Sequence, residues 1–261
     1  MDLLPTDGIV LFAAATVAGA VNAIAGGGSL ITFPLLVWLG RPPILANATN
    51  TVSLSPGSVA ALYGFRRELH GLGRWVVWGS IPSILGGYAG GWLLLRTPAH
   101  VFEWLVPWLI AFATALFALA GPITQRIRRR RGLVHDDGVP RHPRWPEVLA
   151  YQFLVSIYGG YFGAGIGIMM LAGLALVGFT AIHRMIALRN VYAIWINGVA
   201  AAYFILRGTV DWPDALVLTA GQISGSWLSA LVARRLPPGA VRGVVVAVGV
   251  AMAASFFLRG R

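Results

Sequence analysis

The chain alternates long apolar stretches with short polar breaks from one end to the other. Apolar runs cover Gly8 to Ala25, Ser29 to Leu39, Ile44 to Phe65, Trp75 to Leu95 and Val101 to Ala120. A second set covers Val148 to Phe162, Ile166 to Val177, Met185 to Leu206, Ala215 to Ala233 and Ala240 to Leu258. A helix needs about 20 such residues to cross a bilayer, so the pattern predicts an all-α, polytopic membrane helix bundle of about 8–10 membrane segments. The second run of each set is the exception. At 11 and 12 residues these runs reach only about 16 to 18 Å as helix, against about 30 Å of hydrocarbon. Each is read as a re-entrant half-helix or as one arm of a broken helix.

The two sets resemble each other. Gly26, Gly27 and Gly28 open the short run of the first, and Gly163, Gly165 and Gly167 that of the second. Gly40 matches Gly178, Asn50 matches Asn190, Ala60 to Tyr63 matches Ala200 to Tyr203, and Pro98 matches Pro237, at offsets of 138 to 140. An ordered series at one offset favours duplication. The stretch from Arg126 to Arg144 is basic, polar and broken by Pro and Gly, which makes it a linker. The expected organisation is a first membrane repeat over 1–122, a basic cytoplasmic linker over 123–146 and a second repeat over 147–261.

Charge adds orientation. All 20 basic residues are Arg, against nine acids, and cytoplasmic loops attract such residues. With the linker inside, an odd number of crossings per half also places Arg66, Arg67, Arg74, Arg184, Arg234, Arg235 and Arg242 inside, leaving Arg41 and Arg96 of the first half and Arg259 and Arg261 of the second outside. Odd parity inserts the second half upside down, the inverted-repeat plan of many secondary transporters. The net charge of +11 then reads as orientation and contact with lipid headgroups, with no nucleic-acid partner. The chain is 57% hydrophobic, 11% charged and free of Cys, so it has no room for a soluble domain and no thiol chemistry. Its acidic start, Met1 to Asp7, is expected to be mature sequence, since it lacks the basic region of a cleaved signal.

Backbone that leaves helical geometry at membrane depth must be buried in protein or line a wet cavity. The glycine clusters are the expected place. Glycine admits positive φ and close approach of a ligand, and a helix starting just after such a break offers N–H groups and partial positive charge. Gly26, Gly27, Gly28 and Ser29 in one half, and Gly163, Gly165 and Gly167 in the other, are therefore candidate anion donors. Inverted halves would bring both helix starts toward one anion. Polar side chains inside apolar runs point the same way: Asn22 and Asn50 in the first half, Arg189 and Asn190 in the second. Arg189 has no acid in its segment to pair with, so an anionic substrate is its natural partner. Competing explanations are close helix packing for the glycines, headgroup snorkelling for Arg184 and Arg189, and interhelical hydrogen bonding for the asparagines.

Enzyme chemistry is thin. Glu103 and Glu147 sit near segment starts, and no His, Cys or Asp cluster has metal-ligand spacing. The glycines around Gly165 lack the strand–turn–helix setting of a nucleotide site. No cofactor and no catalytic residue is expected.

Taken together, Gly19-x-x-Asn22, Gly26-Gly-Gly-Ser-Leu-Ile-x-x-Pro34, Ala46-Asn-Ala-Thr-Asn50, Gly159 to Met170 and His183-Arg-Met-Ile-Ala-Leu-Arg-Asn190 resemble the TauE/SafE family of sulfite and organosulfonate permeases. The resemblance runs nearly end to end. It implies a multi-pass carrier in the bacterial inner membrane, working on sulfite, sulfoacetate or another small sulfur-containing anion, and leaves a homo-oligomer open. A passive anion channel and a non-transporting scaffold subunit are the alternatives from other classes.

Overall fold

Prolines and glycines between the apolar runs mark where helices stop. In the computed structural model, which describes residues 5–25, 27–129, 138–140, 143–232 and 238–259, the first half forms α1 (Pro5–Ala25), α2 (Ser29–Trp38), α3 (Pro43–Phe65), α4 (Gly73–Arg96) and α5 (Ala99–Arg129). The second forms α6 (Trp145–Tyr161), α7 (Ile166–Val177), α8 (Ile182–Leu206), α9 (Trp212–Val232) and α10 (Pro238–Arg259). No strand occurs among the described residues. Gly26 and most of the linker lie outside the described residues.

Burial is arranged as for a lipid solvent. Ile9, Tyr63, Trp104, Leu154, Leu206 and Trp227 are exposed, while Asn47, Asn50, Asn190, Gln152 and Gln222 are buried. In water that distribution would leave large apolar patches uncovered; in a bilayer the apolar exterior faces acyl chains. Two helices are long and apolar enough to cross a membrane on length and composition alone, Ala99–Leu116 and Ile182–Leu206. Helix α4 carries glycine, serine and proline, which lower its hydropathy and serve packing instead.

Small residues bring backbones together in matching pairs. A methyl group on Gly221 of α9 would meet the Phe12 carbonyl of α1 at 2.7 Å, Gly225 packs on the Thr16 backbone, and Ser226 Oγ donates to the Gly19 carbonyl at 3.2 Å. Contacts climb both helices together, so α1 and α9 run parallel. In the same way Gln152 Nε2 donates to Ser83 Oγ at 3.0 Å, Gly86 packs on Ser156, and Gly90 on the Ile157 carbonyl, so α4 and α6 are parallel. Gly79, Gly87 and Gly91 lay α4 along Tyr192, Ile196 and Ala200 of α8. Asp211 N–H to Thr49 Oγ1 (3.0 Å) and Gln222 Nε2 to Ser53 Oγ (3.0 Å) lay α9 along α3. Only the short turn Arg66–Leu69 and three more residues separate α3 from α4, so those two run in opposite directions. Helix α8, parallel to α4, is thus antiparallel to α3, against which it packs. Helices α5 and α10 also pack together.

The ends of the bundle are chemically distinct. At the linker end Trp75, near the start of α4, meets Trp145 at the start of α6 (4.8 Å between ring centroids) and Phe179 just beyond α7 (4.6 Å). Helices α6 and α7 therefore begin and finish at one end. At the opposite end Arg41, just after α2, meets Asp214 in the first turn of α9. Helix α1 starts there too, since it runs parallel to α9.

Candidate anion site at the broken helices

The two glycine breaks are built differently. In the second half, Gly163 and Gly165 adopt φ of 81° and 83°, a left-handed conformation open to glycine without strain. The Tyr158 hydroxyl donates to the Ala164 carbonyl at 2.8 Å and pins the loop. Helix α7 then starts, with Ile168 and Met169 N–H donating back to the Gly165 carbonyl at 3.1 and 3.3 Å. The remaining donors of that turn are the Ile166 and Gly167 N–H groups.

In the first half the expectation of positive φ fails: Gly28 sits at φ −55°. Its lack of a side chain serves close approach instead. A methyl group there would lie 2.7 Å from the Ala18 carbonyl oxygen and 3.2 Å from Asn22 Cβ, so glycine lets α2 fold back on α1. Leu30 N–H donates to the Gly27 carbonyl at 3.1 Å, and Ile31 and Thr32 N–H donate to that of Gly28 at 3.0 and 3.2 Å. These bonds use the N–H groups of Leu30, Ile31 and Thr32, and not those of Gly27, Gly28 and Ser29, the candidate anion donors. Ser29 is buried and makes no cap, Asn22 is half-buried, and Asn50 is buried with its Oδ1 facing the Thr32 hydroxyl. Thr32 escaped the sequence reading. Its place one turn after the glycines, in an otherwise apolar run, was the available signal.

Arg189 answers the snorkelling question. It is 9% exposed, and its Nε is buried without a hydrogen-bond partner among the described residues. Its guanidinium lies over Gly167: a methyl group on that glycine would sit 3.4 to 3.5 Å from Arg189 Cδ, Cζ and Nε. The structure thus brings Gly167, Arg189 and the open first turn of α7 together, with buried Asn190 next on α8. Asn47 adds a link from the first half. Its Nδ2 donates to the Tyr161 carbonyl at the end of α6 (2.9 Å), while its Oδ1 is buried without a partner among the described residues. No hydrogen bond among the described residues joins the Gly28 set to the Gly167 set.

A cleft of about 550 Å³ opens at the linker end, with Arg144 and Trp145 at its mouth and Gln152, Met170 and Tyr192 deeper. Met170 lies one turn from Gly167, and Tyr192 one turn from Arg189. Neither Gly167 nor Arg189 lines the cleft itself.

Arg41, expected from the sequence to be a loop charge on the outside, does lie at the end opposite the linker, but it is buried against an acid. Arg41 is 4% and Asp214 0% exposed, joined by Nε to Oδ2 at 2.6 Å and by a second nitrogen to Oδ1 at 3.2 Å. The hydrogen bond to Asp214 raises the guanidinium above its ordinary range, while burial acts the other way. Nothing in the local sequence pairs two residues 173 positions apart.

The family model for the sulfite exporter TauE/SafE matches residues 11–256. A probable membrane transporter protein of Haemophilus influenzae is 32% identical over 252 residues, 94% of this chain and 92% of its own length. Probable membrane transporter protein YfcA of Escherichia coli K12 is 29% identical, covering 94% and 87%. Probable membrane transporter protein YunE of Bacillus subtilis is 24% identical, covering 87% and 89%. No solved structure matches. The chain belongs to the sulfite exporter TauE/SafE family, and it is a membrane transporter rather than an enzyme.

Proposed function

We propose that this protein is a secondary transporter of small sulfur-containing oxyanions, sulfite or an organosulfonate such as sulfoacetate, working by alternating access between two inverted repeats in a bacterial inner membrane. The observation that carries the reading is the Arg189 guanidinium, buried without a partner for Nε among the described residues and seated against Gly167 in the first turn of α7. A buried cation without a protein counter-charge is costly. An oxyanion would supply the missing charge and acceptors, and the helix N-terminus would favour the same occupant.

The inverted arrangement is supported by the packing partners. Exchanging the halves turns α1 on α9 into α6 on α4, and α4 on α8 into α9 on α3, while α3 on α8 and α5 on α10 map onto themselves. In this reading residues 1–122 and 147–261 are the repeats and 123–146 the cytoplasmic linker. The hairpins α1–α2 and α6–α7 are re-entrant from opposite faces, and the breaks meet near the midplane.

The test is a flux panel in proteoliposomes: sulfite, thiosulfate, short sulfonates and sulfate. Saturable exchange of a sulfur oxyanion is expected. Flux that rises without saturation would make the protein a channel, and no flux of any anion would overturn the transport reading.

A further inference from the structure

We propose that Arg41 and Asp214 are the latch that closes the translocation path at the end opposite the linker, and that releasing this ion pair admits substrate from that side. The inference rests on the alternating-access reading above and names the moving contact.

The pair is placed as a latch must be. Arg41 comes from the turn between α2 and α3 in the first half, and Asp214 from the first turn of α9 in the second. The contact uses both carboxylate oxygens, at 2.6 and 3.2 Å, and both residues are buried. Arg against carboxylate in this forked geometry is directional as well as strong. It fixes the angle between the halves where a single charge contact would let them slide. Thr49 Oγ1 accepts from Asp211 N–H at 3.0 Å and anchors the adjoining loop. One turn inward on α3, Ser53 accepts from Gln222 Nε2, again between α3 and α9. The seam from Arg41 to Ser53 is thus closed by polar contacts made between halves.

The other end differs. There Trp75, Trp145 and Phe179 form an aromatic cluster beside a cleft lined by Arg144, Glu147 and Gln152. One end is shut by a charged, bidentate contact and the other carries an open cleft. This is the asymmetry of a carrier open toward its linker side. An ion pair suits the closed side because separated Arg and Asp can each be hydrated at a membrane surface, whereas an apolar seal would expose greasy surface on opening.

The chain has no native cysteine, so Ser53→Cys gives a single reporter thiol under the latch. In purified, detergent-solubilised full-length protein, a charged methanethiosulfonate reagent should modify it slowly. Adding Asp214→Asn should speed modification by about tenfold or more, because an unpaired buried guanidinium no longer holds the seam. Arg41→Lys, which keeps the charge and loses the fork, should fall between. The exchange Arg41→Asp with Asp214→Arg should restore slow modification and, in proteoliposomes, recover flux lost in the single variants. Unchanged labelling in Asp214→Asn or Arg41→Lys protein that elutes as a monodisperse peak would overturn the latch and leave the pair a static brace. If Asp214→Asn does not fold, the Arg41→Lys and exchanged variants still decide. The labelling needs no substrate, so absent flux would count against the transport reading without touching this result.

Discussion

Arg189→Gln separates a binding cation from a structural one, because the two roles predict opposite effects on stability. Arg189 is 9% exposed, with Nε unsatisfied among the described residues. Leaving a buried polar group unpaired costs about 1–3 kcal/mol, more when it is charged. A neutral glutamine on the same helix turn removes the part of that cost due to charge, so the unliganded variant should melt at the same temperature as wild type or higher. Binding should move the other way. A hydrogen bond to a charged partner contributes about 1.5–3 kcal/mol, so the dissociation constant for the transported anion should rise by about ten- to 150-fold. Thermal melts and calorimetric titrations on both proteins read the two quantities. Arg66→Gln serves as the control: Arg66 is exposed, stacks 3.9 Å over the Tyr63 ring and donates to the Tyr63 carbonyl. It should change neither. A marked loss of stability in Arg189→Gln with unchanged affinity would show that the guanidinium's partner is protein, and the anion role would fall.

Two further predictions use the same contacts. Gly28→Ala should lower thermal stability by about 1–3 kcal/mol through overpacking, since its methyl group would lie 2.7 Å from the Ala18 carbonyl, whereas Gly167→Ala meets Arg189 at 3.4 Å and should fold while weakening anion affinity. A lower melting temperature for Gly167→Ala than for Gly28→Ala would reverse the argument. Proton relays use intramembrane acids or histidines, and here the buried Asp214 is held by Arg41 while Glu103 and Glu147 are exposed. Transport of a permanently ionised sulfonate by His183→Gln should therefore vary little between about pH 6 and about pH 8, and a steep dependence in liposome flux would reveal a titrating group elsewhere.

Helix number and the short second run of each half were legible because hydrophobicity and glycine act locally. Gly163 and Gly165 do what glycines at a break are expected to do. Gly28 does not, because whether a glycine supplies a turn or a close approach depends on the neighbouring helix, in this case the Ala18 carbonyl. Gly86 and Gly90 serve close packing, lying against Ser156 and Ile157. Arg189 was legible as a charge in an apolar run without an acid. Arg41 was not, since a basic residue in a short turn looks like any loop arginine. Only the fold shows that the turn is carried to Asp214.

The two buried arginines make the distinction between structure and function concrete. Arg41 has its counter-charge built into the protein, in forked geometry, across the seam between the halves. Arg189 has none among the described residues, and it lies against a glycine whose missing side chain keeps the first turn of α7 open. In a low-dielectric interior the first arrangement is self-sufficient and the second is incomplete. An incomplete charge draws a mobile partner to a fixed place. A self-sufficient pair can instead be made and broken without that partner, provided that the broken form reaches water. Transport needs one of each: a site that prefers to be filled, and a closure whose strength does not depend on the cargo. In the function proposed above, Arg189 would meet the first requirement and Arg41 with Asp214 the second. The labelling and binding experiments should therefore separate cleanly, with latch variants changing access while Arg189→Gln changes affinity and leaves access unaltered.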